Sequence, residues 1–246
     1  MWNASVKLAG ASALAAFISL GAMQAKAAAP AHPDFTGVWT NVGRPALGGT
    51  TNVAPAASPL KPEAKAKIDA YQKLVGPTGD TPGGYCLGTG MPGSMLGSGG
   101  YPMEIIQRPE QITIIYEAHS ETRRVYFGDR NAAPEDRVPG RNGYSSGRWE
   151  GNTLVVETDN LVEQVDQRTT SHSDQAKIVE RYHEEKGPDG ARILVAEMTM
   201  TDPGFYTAPV KMEKRWQQVP NGRLLPYECA EENWNKRLEE LGAKKR

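Results

Sequence analysis

From Met103 onward, bulky apolar residues alternate with polar ones in short runs, the period-two pattern of half-buried strands. Segments 103–107 and 111–117 are rich in Ile and flank Pro109-Glu110, which predicts a hairpin. A strand over 123–128 follows. Segments 144–149 and 153–158 bracket Glu150-Gly151-Asn152, whose Gly-Asn pair suits a tight turn. Strands over 176–184 and 193–201 are separated by Lys186-Gly187-Pro188-Asp189-Gly190, a dense turn cluster. Segment 210–218 is predicted to pair with 224–228 across Pro220-Asn221-Gly222. Upstream, the run from Phe35 to Thr40 reads as one more short strand.

Two segments have helical spacing instead. Over 58–75, Pro62 suits a first-turn position because its missing N–H is not needed there, and Ile68, Tyr71 and Val75 then share a face. The C-terminal segment 231–245 places Trp234, Leu238 and Leu241 on one stripe. Between the first helix and the strand-rich part, 76–102 is dense in Gly and Pro. A loop that long is either functional or tied down. About nine strands in meander order predict a mostly β fold closing into an antiparallel barrel, because closure removes exposed edges; a β-sandwich is the alternative.

One apolar run stands outside this pattern. Ala11 to Met23 is too short to span a bilayer. It follows a stretch with one positive charge, Lys7, and ends in Ala25-Lys26-Ala27, the small-residue pattern a signal peptidase accepts. A signal peptide over 1–27 is predicted, leaving 28–246 as one barrel domain in the periplasm or outside the cell. Loss of Lys7 and Lys26 takes the formal charge from −1 to −3, which argues against nucleic acid as a partner. No later run is long enough to hold the cleaved chain in a membrane. Cys86 and Cys229 would both reach an oxidising compartment, where a pair usually closes. The other reading is a reactive or metal-bound thiol pair, without a CxxC or Cys/His cluster behind it.

Two resemblances bear on the fold. Gly37-x-Trp39 is similar to the first-strand Gly-x-Trp of lipocalins, whose Trp closes the barrel base against an Arg from a late strand; Arg215 is the residue expected in that part. More of the chain resembles a family of secreted, largely uncharacterised proteins of proteobacteria and acidobacteria. The matching blocks are Asp34 to Trp39, Cys86-Leu87 with Gly90-Met91-Pro92, Met103 to Gln107, Arg123-Arg124-Val125-Tyr126, Gly147 to Val156, Val179 to Tyr182, Asp202-Pro203, and Tyr227-Glu228-Cys229 with Glu231 and Asn233. Family members often carry Gly-His-Ser where this chain has Gly143-Tyr144-Ser145. An imidazole role at that point is lost here, or passes to the Tyr144 hydroxyl.

The chemistry-bearing residues are scattered. His32, His119, His172 and His183 are not spaced as a metal motif requires, so no metal is expected and no cofactor is implied. There is no Gly-x-Ser-x-Gly elbow, no Walker sequence and no dinucleotide fingerprint. What remains is a density of ionisable groups on strands: Glu117, Arg123, Arg124, Arg148, Glu180 and Arg181. Ile178, Glu180 and Tyr182 share a strand face, so Glu180 is expected inside, with Arg124 and Arg148 as its expected partners. The functional reading takes Glu117, Tyr144, His172 and Glu180 as acid–base residues of a barrel mouth, and Arg124, Arg148 and Tyr126 as substrate-binding residues. The same groups read equally as cross-strand ion pairs on a solvated face.

The expected function is binding of a small, partly apolar organic molecule, with turnover as a cofactor-free lyase, isomerase or hydrolase. A non-catalytic periplasmic carrier is the alternative. An envelope interaction protein would instead require a large exposed apolar patch.

Overall fold

The computed structural model describes residues 32–42, 60–97, 100–167, 170–187 and 189–240; the expected signal peptide lies outside them. Among the described residues nine strands occur, in the order β1 (Gly37–Asn41), β2 (Met103–Arg108), β3 (Gln111–Tyr116), β4 (Glu121–Tyr126), β5 (Tyr144–Glu150), β6 (Thr153–Asp159), β7 (Lys177–Lys186), β8 (Arg192–Thr201) and β9 (Val210–Val219). Each pairs with its neighbours in chain order, and β1 also pairs with β9, so the sheet is a closed barrel. The closing strand is shared: Gly37 faces Ile105 of β2, while Val38 faces Val219 of β9.

Alternation sorts the side chains. Ile112, Ile114 and Tyr116 of β3 and Ile178, Glu180 and Tyr182 of β7 are all buried, whereas their sequence neighbours are more exposed. Trp39 stands fully buried at one end, its indole N–H donating to Phe35 O at 2.8 Å. The cation above it is not Arg215. Arg192 of β8 lies 5.5 Å from the Trp39 ring, pairs with Glu184, and donates to Asp34 O. Arg215 pairs with Glu185 and Glu213 on the outer face, because Trp216 takes the inward parity and leaves its neighbour outside.

The meander breaks once. β4 and β5 run parallel, joined by a crossover over 127–143 that contains two short 3-10 turns, Gly128–Arg130 and Pro134–Asp136. The expected strand over 224–228 does not form. β1 already occupies the outer edge of β9, which leaves no ladder for a further strand to join.

Helix α1 (Pro62–Val75) opens on Pro62 and buries Ala64, with Ile68, Tyr71 and Val75 half-buried on the same side. Glu63 in its first turn and Lys73 in its last both suit the helix dipole. The loop after it is tied down and carries the five-residue helix α2 (Gly93–Gly97). Met91, Met95 and Leu96 enter the core, and Gln167 Nε2 donates to the carbonyls of Thr89 and Met91. The disulfide Cys86–Cys229, with Cα atoms 5.6 Å apart, fastens this loop to the first residue of α3 (Cys229–Glu240). The expected extension of that helix past 240, with Leu241, lies outside the described residues. No helix of the described residues is long and apolar enough to cross a membrane.

Candidate functional site

The weakest seam of the barrel is the parallel one. The β4–β5 register covers two residue pairs, Val125↔Ser145 and Tyr126↔Ser146. Upstream of them the chains part, and a cavity of about 530 Å³ opens between 122–124 and 142–145, edged by the crossover. That volume lies within the range of small-molecule sites. Gly143 helps to hold the gap open. It has φ +62°, and a Cβ there would stand 2.3 Å from the Asp159 carbonyl, so only glycine lets the crossover press against β6 before Tyr144 emerges.

Tyr126 and Tyr144 form one wall, their rings stacked with centroids 5.4 Å apart and planes 24° from parallel. The Arg137 guanidinium lies 4.6 Å from the Tyr144 ring centroid and is itself held by Asp159 at 2.9 Å. The Tyr144 hydroxyl accepts from the Ala132 N–H at 2.5 Å. Arg124 and Arg130 also line the cavity, with Asp136, Val138 and Asn142. Three of the residues selected from sequence, Arg124, Tyr126 and Tyr144, therefore meet at one place.

The floor of the cavity is Arg123, which points inward where Arg124 points out. It is 2% exposed, and its ion-pair partner Glu180 is fully buried. Arg123 Nη1 donates to Glu180 Oε1 at 3.0 Å, and Nη2 pairs with Oε2. Nη2 also reaches Thr158 Oγ1 at 2.7 Å, and Nε reaches Ser145 Oγ at 3.0 Å. Tyr182 donates to Glu180 Oε1 at 2.6 Å. Burial alone would lower the Arg123 pKa, but the adjacent carboxylate reverses this and holds the guanidinium charged. Burial, reinforced by Glu180, raises the Tyr182 hydroxyl well above its usual value, so it stays protonated and donates. Met95 of the loop meets both Tyr116 and Tyr182, so side chains fill the hollow behind the pair.

Arg124 and Arg148 are thus not the partners of Glu180. Val125 and Arg123 share the inward parity of β4, which sends Arg124 outward. Arg148 is on the outer face with Glu150 and Glu157. Glu117 accepts from the Leu225 N–H at 2.7 Å, away from the cavity. His172, expected with Tyr144 as an acid–base residue, is fully buried and does not line the cavity. Its Nδ1 lies 3.0 Å from the Thr170 carbonyl, and burial pushes its pKa down. Ser171, Ser173, Asp202 and Gln167 are buried around it, a hydrogen-bonded cap at the barrel end.

No protein-family model, curated protein or solved structure matches the chain.

The site therefore rests on its own geometry. Sequence reasoning missed Arg130, Asp136 and Asn142, because 127–143 reads as a plain connection and nothing local signals that it folds back beside β4. Arg123, in place of the expected Arg124, carries a signal that was not used: Val125, two residues on, has the parity of a core residue. Among the described residues, no group of three or more His, Cys, Asp or Glu side chains is gathered as a metal would need. Chemically the cavity offers three guanidinium groups, of which Arg123 is already paired with Glu180, together with one carboxylate, an amide and a pair of stacked phenols.

Proposed function

We propose that this is an exported protein that binds a small, partly apolar organic molecule in the cavity between β4 and β5. The observation that carries the reading is the convergence of Arg124, Tyr126 and Tyr144 on one cavity of ligand size. Export to the periplasm or beyond is part of the proposal, supported by the disulfide, which oxidising compartments favour. Aromatic walls with a few charged groups suit a molecule with a flat apolar body and a polar end. Glu180 acts in this reading through Arg123, as a positioning residue for the cavity floor.

A second reading, cofactor-free catalysis, has one observation in its favour. The Asp136 carboxylate is in no ion pair among the described residues and lines the same cavity as the Tyr144 hydroxyl. A carboxylate to take a proton and a phenol to give one are the groups that proton-transfer chemistry uses. The lyase, isomerase and hydrolase classes all fit such a pair.

Binding is tested by thermal shift and tyrosine fluorescence across a panel of small aromatic and alicyclic molecules. Ligands that stabilise the wild type are expected to lose their effect in Tyr126→Ala and Tyr144→Ala. Ligands whose effect survives both changes bind elsewhere, and the assignment of this cavity is then wrong. Turnover that disappears in Asp136→Asn and Tyr144→Phe while binding persists selects the enzyme over the carrier.

A further inference from the structure

We infer that the molecule bound between β4 and β5 is an anion, specifically a planar aromatic or conjugated carboxylate. The inference rests on the reading of this cavity as the binding site and adds the chemical class of its ligand.

Arg137, Arg141, Arg148, Arg181, Arg192 and Arg215 are each paired with a carboxylate. Arg108, Arg124, Arg130 and Arg223 are in no ion pair among the described residues, and of these Arg124 and Arg130 line the cavity. Arg130 Nη2 donates to Gln111 Oε1 at 3.0 Å; a neutral amide leaves its charge uncompensated. The charge of Arg123 beneath them is already balanced by Glu180. Against two free guanidinium groups the lining carries one acid, Asp136, so the cavity keeps a net positive charge.

Guanidinium groups left without a carboxylate beside a concave surface are suited to receive one, since the planar fork matches its two oxygens. A free-standing surface arginine does not by itself make a site. Here the two stand beside stacked Tyr126 and Tyr144 rings and an exposed apolar residue, Val138, which is 80% accessible. A ring system laid against the phenols would cover that apolar surface while its carboxylate met Arg124 and Arg130. The aromatic wall supplies the reason for a flat body. The unpaired arginines supply the reason for a negative end.

Three matched probes test this: 2-naphthoate, 2-naphthamide and 2-naphthyl phosphate, titrated calorimetrically into the full protein at low and high salt. Naphthoate is expected to bind at least about tenfold more tightly than the amide, and to lose most of that advantage at high salt. In Arg124→Gln/Arg130→Gln, whose side chains are exposed and whose folding is checked by its melting temperature, the acid and the amide should bind alike. Equal binding of acid and amide to the wild type would overturn the anion while leaving the binding site standing. Tighter binding of the phosphate than of the carboxylate would overturn the carboxylate. If no probe binds, or if all bind unchanged to Tyr126→Ala and Tyr144→Ala, the cavity itself is misassigned and the inference fails with it.

Discussion

Arg123 crosses the inside of the barrel from β4 to Glu180 on β7, passing Ser145 and Thr158, and meets both carboxylate oxygens. The two strands are not neighbours in the sheet, so the pair braces the barrel across its width beneath the parallel seam. It also sets the floor of the cavity. A guanidinium held this firmly does not leave its partner to follow a ligand.

Breaking that brace is expected to be costly in one direction only. Glu180→Gln and Arg123→Met should each lower unfolding free energy by about 3–5 kcal/mol, because each leaves a buried charge without its partner. Replacing both by Met should cost clearly less than the sum. Urea unfolding of the two single variants and the double variant measures the coupling; additive losses would mean that the pair does not act as a unit.

Lys214 should make stability depend on pH in the alkaline range. It is buried on β9, its ammonium 3.5 Å from the Leu96 carbonyl, and burial pushes its pKa from 10.5 down to about 8. Between those two values the unfolded chain holds the proton that the folded chain has released. Stability from this group therefore rises as pH goes from about 8 to 10.5, and the full penalty is present below pH 8. Lys214→Met should raise the urea midpoint at pH 7, by free energy on the order of 2–3 kcal/mol, and remove that rise. A variant less stable at pH 7 with an unchanged alkaline slope would show that the amine is not confined.

The Trp39 end of the barrel separates two arginines. Arg192→Gln loses the cation above the indole and the bond to the Asp34 carbonyl, and should cost about 1–2 kcal/mol with a shifted tryptophan emission. Arg215→Gln, on the outer face, should cost less than about 1 kcal/mol and leave emission unchanged. Equal effects would remove the distinction.

The disulfide joins residues 143 apart in sequence, so reducing it frees a long loop of the unfolded chain. Cys86→Ser/Cys229→Ser should lower stability by roughly 2–5 kcal/mol. Thiol titration of the denatured, unreduced wild type should find no free thiol. Limited proteolysis of the double variant should cut first between 76 and 90, where the anchor was.

How much of this was legible depended on whether a signal was local. The Ile-rich hairpin of β2 and β3 and the inward face of β7 follow from alternation alone, and Glu180 was placed inside by Ile178 and Tyr182. The disulfide followed from the cysteine count and the expected compartment. By contrast, Arg123-Arg124 reads as two equivalent charges until Val125 sets the parity, and Pro220-Asn221-Gly222 looks like a hairpin although β1 takes the edge it would need. His172 in a Ser-rich loop gave no hint of burial.

What the chain determined by itself is what depends on neighbours a few residues apart: which side chains turn inward, where turns fall, and that the strands want a common core. Tertiary structure alone decided which distant groups meet. The parallel β4–β5 seam, the crossover that brings Arg130 and Asp136 beside Tyr144, and the choice of Arg123 for Glu180 all depend on closing one particular sheet. Closure selects among many pairings of similar local preference, so the cavity is a property of the closed barrel and not of any segment in it.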